Sequence, residues 1–202
     1  MMKHHRPDSP DWLTAKYEQW GLTYEANKLA NPSHKFAWRQ YQGVKINTLL
    51  LPILIEMTSD HCSFCDGYPM RSFGGNSIEH FKPKSDSRYY RHAYEWENLF
   101  LSCYVCQGAK LEKFDEALLR PDEIEYRFNQ YFIVDLATGI INPNPASEES
   151  AQERAAITIK MYGLNHFDRP ETRKQFFMQA FANTDAIADY STYPYRFMYS
   201  YL

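Results

Sequence analysis

The sequence predicts an α+β fold, mainly helical, with a two-strand-and-helix finger at its centre, helical N- and C-terminal flanks and a small β-hairpin. Three observations point there. All four cysteines fall in two C-x-x-C pairs, Cys62/Cys65 and Cys103/Cys106, separated by 37 residues. Between and beside the pairs, short stretches at 77–81 and 98–103 have the period of strands, and the chain from 106 to 119 takes helical spacing. Longer stretches on both sides carry apolar residues at helical spacing.

The elements follow in order. Residues 10–30 predict one or two short helices, with Trp12, Leu13, Tyr17, Trp20 and Leu22 as the apolar positions and an interruption near Gly21. Asn31-Pro32-Ser33 is a loop, and Ser33 is a cap for a longer helix over 35–58 that Pro52 should kink or restart. Gly67-Tyr68-Pro69 and the glycines near 75 are turn chemistry, and Lys82-Pro83 ends the first strand. Tyr126-Arg127-Phe128 and 131–134 read as a hairpin with Thr138-Gly139 beyond it, and 142–145 as a loop. Helices are expected over 148–162, capped by Ser147 or Ser150, and over 171–188. The tail from Tyr193 is aromatic enough that burial against a partner or a second copy is expected.

Size and charge bound the function. With 202 residues, 44% of them hydrophobic and 23% charged, the chain can bury a substantial core. It divides into a helical segment (1–60), the finger (61–120) and a hairpin with C-terminal helices (121–202), joined as one compact unit. The 16 Tyr, 13 Phe and 4 Trp suit either a well-filled core or a protein interface. The longest apolar run, 49–55, is far short of the ~20 residues a membrane helix needs, and the N-terminus lacks the apolar stretch of a signal peptide. A cytoplasmic protein without membrane association is expected. The net charge of −3 excludes a protein that grips duplex nucleic acid by its overall charge. Locally the balance reverses: 71–91 holds five basic residues against two acidic ones. A partner subunit is expected to supply the rest of the grip.

The cysteine pairs carry the most specific signal. Each tight turn offers two sulfurs, and together they can converge on one tetrahedral ion with Zn–S distances of about 2.3 Å. The competing readings are two local disulfides or free buried thiols; a reducing compartment disfavours disulfides. With all four positions filled by protein, the zinc is a staple rather than a catalyst. Glu79-His80 is weaker by itself. On a strand, neighbouring side chains point to opposite faces, so the pair could touch a metal and a water, or merely form a solvated edge. A histidine near its unperturbed pKa of about 6.5 suits general-base work. Asn98 is either a turn residue or the group that orients that base. Gln107 and Lys110, three apart at a helix start, share a face. They fit either an oxygen ligand and a phosphate-contacting ammonium or a solvated surface. Lys82, Lys84 and Arg88 stand nearby as candidate substrate-binding residues.

Glu79-His80-x-x-Pro83, Asn98-Leu99 and the Cys103/Cys106 pair followed by Gln107 and Lys110 resemble the HNH endonuclease ββα-metal motif. The wider context narrows the likeness: 78–85, 94–99, Leu119-Arg120-Pro121-Asp122, and 153–159 running into Gly163-Leu164-Asn165. Over 35–173 the chain is similar to the HNH subunit (PtuB-like) of Septu-type and retron-associated anti-phage systems. The resemblance implies roles by position. Glu79 and Gln107 would bind a catalytic Mg²⁺ or Mn²⁺, His80 would deprotonate water, Asn98 would hold His80, and Lys110 would contact phosphate. Family members usually carry Asn or His where this chain has Gln107. The likeness also implies a nucleic acid substrate (DNA, or transfer RNA in retron-linked relatives). Its implied partners are an ABC-type ATPase subunit (PtuA-like) and, in some relatives, a retron reverse transcriptase and its non-coding RNA. Two other readings stay open: a zinc-stapled docking or nucleic-acid-binding module without chemistry, and a C-x-x-C redox protein.

Overall fold

Pro10 fixes its own φ ahead of the first helical turn, and its carbonyl receives the amides of Leu13 and Thr14. Helix α1 (Asp11–Thr14) therefore begins there, breaks at Ala15 and Lys16, and is followed by α2 (Tyr17–Ala30). Gly21, where the sequence suggested the interruption, lies inside α2. Its missing side chain serves packing, since a Cβ would fall 2.2 Å from the Arg91 carbonyl oxygen. Helix α2 thus lies directly on a 3-10 turn, Tyr90–Tyr94. The computed structural model describes residues 1–72, 75–183 and 189–202.

The helix expected over 35–58 is shorter. Residues 35–45 are not helical, and β1 (Gln40–Tyr41) pairs with β2 (Val44–Lys45) around Gln42 and Gly43, both at positive φ. Helix α3 (Ile46–Thr58) starts without a side-chain cap and runs through Pro52 rather than restarting. An interior proline costs about 3 kcal/mol; the buried Ile46, Leu50 and Leu54 anchor the helix on both sides of it and offset that cost.

The finger takes the expected order. β3 (Ser77–His80) pairs antiparallel with β4 (Leu99–Ser102), Ser77 opposite Ser102 and His80 opposite Leu99. Helix α4 (Tyr104–Lys110) follows, but the helix expected to reach 119 stops at Lys110, because Leu111 takes a φ of 53°. Turns fill the remainder.

The hairpin is also displaced. Residues Phe128–Tyr131 form one helical turn, α5, and the strands are β5 (Phe132–Asp135) and β6 (Ile140–Pro143). Asp135 sets the turn between them: its carboxylate accepts from the amides of Ala137 and Thr138, and its carbonyl from Gly139, which sits at φ +73°. Helix α6 (Glu149–Met161) has Glu148 at its N-cap with no side-chain capping bond, so neither Ser147 nor Ser150 serves. Helix α7 is Arg169–Ala182; the last part of the stretch expected as helix, 184–188, lies outside the described residues.

Much of the aromatic tail packs on its own chain. Phe197 stacks on Phe128 (ring centroids 4.3 Å apart), and Tyr195, Met198 and Tyr199 are buried. Arg196 pairs with the fully buried Asp66 at 2.6 Å. Intramolecular aromatic surface from α5 was enough to satisfy the tail. One buried apolar cluster draws on all three sections of the chain, from Leu13 and Leu54 through Phe64 and Phe100 to Tyr162 and Met198. Among the described residues, no helix is long and apolar enough to cross a membrane.

Candidate metal centre and adjoining cleft

The first knuckle closes where the Cys62 amide donates to the Gly67 carbonyl and the Asp66 amide donates to that of Cys62. The second opens α4: Cys103 is its N-cap, and its Sγ accepts the Cys106 amide at 3.4 Å. The Cys103 amide in turn donates to Cys62 Sγ at 3.4 Å, tying the knuckles together. All four Sγ atoms are buried within 4.8 Å of one another, and none is in a disulfide. Cys65 and Cys103 Sγ stand 3.8 Å apart. Four sulfurs each about 2.3 Å from a tetrahedral ion would be separated by about 3.8 Å, so the cluster can hold a metal ion such as zinc. Burial pushes the Cys62 and Cys106 thiols well up, while hydrogen bonds from Cys103 hold Cys65 down and one from Cys106 holds Cys103 down. A dication would take the place of the retained protons.

Arg169, at the start of α7, donates to Cys106 Sγ at 3.4 Å and to Cys103 Sγ at 3.5 Å. Burial disfavours its charge, but the Cys106, Cys65 and Cys103 sulfurs hold its pKa above the ordinary value. Nothing in the sequence signals this role, because the residue lies 63 positions beyond Cys106 and outside any motif.

Beside the cluster, β3 presents Glu79 and His80, both buried. Glu79 Oε1 accepts from Lys110 Nζ at 2.8 Å, and the same ammonium donates to the His80 carbonyl at 2.9 Å. Lys110 is fully buried. That corrects the expectation that it reaches a phosphate: α4 packs against β3 and turns Lys110 inward, onto the carboxylate. Gln107 shares that face as expected; its amide donates to the Ile78 carbonyl at 3.3 Å. Burial raises the Glu79 pKa, and Lys110 opposes the shift.

His80 Nε2 lies 2.9 Å from the Ala93 carbonyl oxygen. A carbonyl only accepts, so Nε2 carries the proton and Nδ1 keeps its lone pair. The ring stacks on Trp38 (5.4 Å, 23°) and meets Phe36 edge-on (5.1 Å, 80°). Burial, with Lys84 nearby, lowers its pKa well below the usual value, so the imidazole is neutral.

Asn98 makes no hydrogen bond to the His80 ring. Its Oδ1 accepts the Lys82 amide at 2.6 Å, and its Nδ2 donates to the carbonyls of Lys82 (3.1 Å) and His92 (2.8 Å). It therefore ties the chain after β3 to the 3-10 turn that supplies the Ala93 carbonyl, and positions the partner of His80 rather than His80 itself. Of the three candidate substrate-binding residues, only Lys84 lines the cleft, its Nζ 5.3 Å from the Phe36 ring and its pKa lowered by burial. Lys82 lies over Tyr89 (5.7 Å), and Arg88 is held in a fork by Asp86 (2.6 Å).

The cleft has two adjoining hollows, of about 310 and about 300 Å³, with His80, Lys84 and Gln107 in the wall of both. The first contains Glu79, Glu112 and Tyr104; the second is walled by Phe36, Trp38 and the amides of Asn47 and Asn76. The Glu79 carboxylate and the Gln107 amide could hold a hard divalent cation. Beside them stand a neutral imidazole with a free lone pair and an ammonium. Compared with known proteins, the chain matches no family model and no curated protein.

Proposed function

We propose that this chain is a metal-dependent HNH endonuclease that hydrolyses phosphodiester bonds of nucleic acid, stapled by a structural zinc at its four cysteines. The single observation that carries the reading is His80: a neutral imidazole, its Nε2 committed to Ala93, beside Glu79 in the wall of an open cleft. In this reading Nδ1 of His80 takes the proton of the attacking water, and Trp38 and Phe36 hold the ring. Glu79 and Gln107 would hold Mg²⁺ or Mn²⁺, a Lewis acid that would supply charge stabilisation at the departing oxygen. Lys110 fixes the Glu79 carboxylate, and Lys84 faces the phosphate. The motif's resemblance to Septu-type HNH subunits supports a role in an anti-phage complex with an ABC-type ATPase. A net charge of −3 is consistent with substrate capture shared with a partner.

The test is cleavage of labelled DNA and RNA by purified chain, with and without an ATPase partner, in Mg²⁺ or Mn²⁺. Loss of cleavage by at least 100-fold in His80→Ala, with zinc content unchanged, is expected; undiminished cleavage in that variant rules out His80 as the base. One observation favours a second reading, a non-catalytic zinc-stapled module. Glu79 already has a cation in Lys110, and Gln107 is engaged by Ile78. Mn²⁺ titration followed by electron paramagnetic resonance separates the two: binding abolished by Glu79→Ala supports the enzyme, and no binding the module.

A further inference from the structure

Acidic and basic walls are segregated along the cleft. Carboxylates (Glu79, Glu112) line only the first hollow, and no aspartate or glutamate lines the second. Trp38 separates the second hollow from a third, of about 380 Å³, which is walled by His34, Lys35, Arg39 and Tyr94 and likewise holds no carboxylate. In a chain with 25 acidic residues against 22 basic ones, two consecutive hollows without an acid are a local departure. Nor are these cations spent elsewhere: among the described residues none of Lys35, Arg39 and Lys84 forms an ion pair. Arg39 Nε is buried without an acceptor. The segment that brings these groups together, residues 34–39, is neither helix nor strand, and it places the rings of both Phe36 and Trp38 against His80.

We infer that residues 34–39 form a track for an unpaired nucleic-acid strand, running from the reacting centre past Trp38 to Lys35 and Arg39. The inference rests on the nuclease reading for the location of the scissile phosphate and adds the substrate class, single-stranded over duplex. Hollows of about 300 to 380 Å³ suit single bases. An aromatic wall between cations is useful to a strand whose bases are free to stack on it, whereas a duplex offers only its phosphates there.

Fluorescence anisotropy of the zinc-loaded full chain, without divalent cation, tests this apart from catalysis. The probes are a labelled strand of about 12 nucleotides, as DNA and as RNA, each single-stranded and annealed to its complement. The tighter-binding single strand should exceed its own duplex by about ten-fold or more. Trp38→Ala should weaken it by about ten-fold or more, as loss of a base-stacking platform does. Because Trp38 also touches His80, a second variant, Lys35→Gln/Arg39→Gln, keeps the test independent of that ring. It should flatten the dependence of log affinity on log salt by about 1.4, at about 0.7 per phosphate contact. Duplex bound as well as single strand, an unchanged salt slope in the double variant, or no binding to any probe overturns the track. Strand binding without cleavage in Mg²⁺ or Mn²⁺ overturns the nuclease reading alone, and cleavage unaffected by these variants overturns the track alone.

Discussion

Replacing Lys110 by methionine tests the arrangement at Glu79 most directly. Methionine keeps much of the length and removes the charge. The ion pair is buried on both sides, with side-chain exposures of 0% and 5%. Breaking such a pair strands the other charge, at a cost of about 3–5 kcal/mol, and the His80 carbonyl also loses its bond from Nζ. Burial already raises the Glu79 pKa against the pull of Lys110, so without Lys110 it climbs further. A carboxyl whose folded pKa lies above its unfolded one loses stability as pH rises through the folded value. The cost of Lys110→Met should therefore be about 4 kcal/mol at pH 8. At pH 5 it should be smaller, because the stranded carboxyl is then closer to its neutral form. Urea denaturation at the two pH values, with zinc content measured at each, reads this out. Adding Glu79→Gln should recover more than half of the loss, because no buried charge is left behind. If Lys110→Met costs less than about 1 kcal/mol at pH 8, or equally at both pH values, the pair is not what holds this region together.

Three further outcomes follow from the geometry. The chain should carry one zinc ion, measured by mass spectrometry; Cys103→Ser should abolish it, and Arg169→Gln should weaken zinc affinity by about 10–100-fold in a chelator competition. His4 is buried and faces Arg196, the N-terminal amine, Asp122 and His61; burial lowers its pKa to about 3. The unfolded chain, near 6.5, takes up the proton first, so this contribution is present above pH 6.5 and is lost toward pH 3, at up to about 1.4 kcal/mol per pH unit. Urea titrations between pH 7 and 5 should show a shallower fall in His4→Asn than in the parent, and parallel slopes would refute the assignment. Gly21→Ala should cost about 1–3 kcal/mol by overpacking, because its Cβ would meet the Arg91 carbonyl. It should also shift the His80 ring resonances, since Arg91 lies in the turn that carries Ala93; a variant as stable as the parent would contradict the close approach.

The central finger was legible because its signals are local. Two C-x-x-C turns, a strand-period run at 77–81 and helical spacing from about Cys106 each declare themselves over a few residues. What holds His80 was not legible. Its partner is a backbone carbonyl at Ala93, which has no side-chain signature, and its stacking partner Trp38 lies in a stretch read as helix. Asn98 carried the right position but not the right contact, since an Asn that braces two carbonyls looks the same in sequence as one that holds an imidazole. Lys110 shows the same limit for helix faces: the Gln107/Lys110 spacing fixes a shared face, while whether it points to water or to Glu79 depends on how α4 settles on β3. The displaced hairpin and the shortened α4 turned on single residues, Asp135 at one and Leu111 at the other.

Asp66 connects the cysteine cluster and the aromatic tail. It directly follows the second cysteine of the first knuckle, takes a φ of 60°, and holds the Tyr195 amide through its carbonyl and Arg196 through its carboxylate. The bend that aims Cys65 into the cluster is thus the one that aims the carboxylate at the tail. An emptied cluster would let go of both, turning Phe197, Met198 and Tyr199 out where a chymotrypsin-like protease can cut. Limited digestion with and without chelator reads whether the tail loosens when the cluster is emptied.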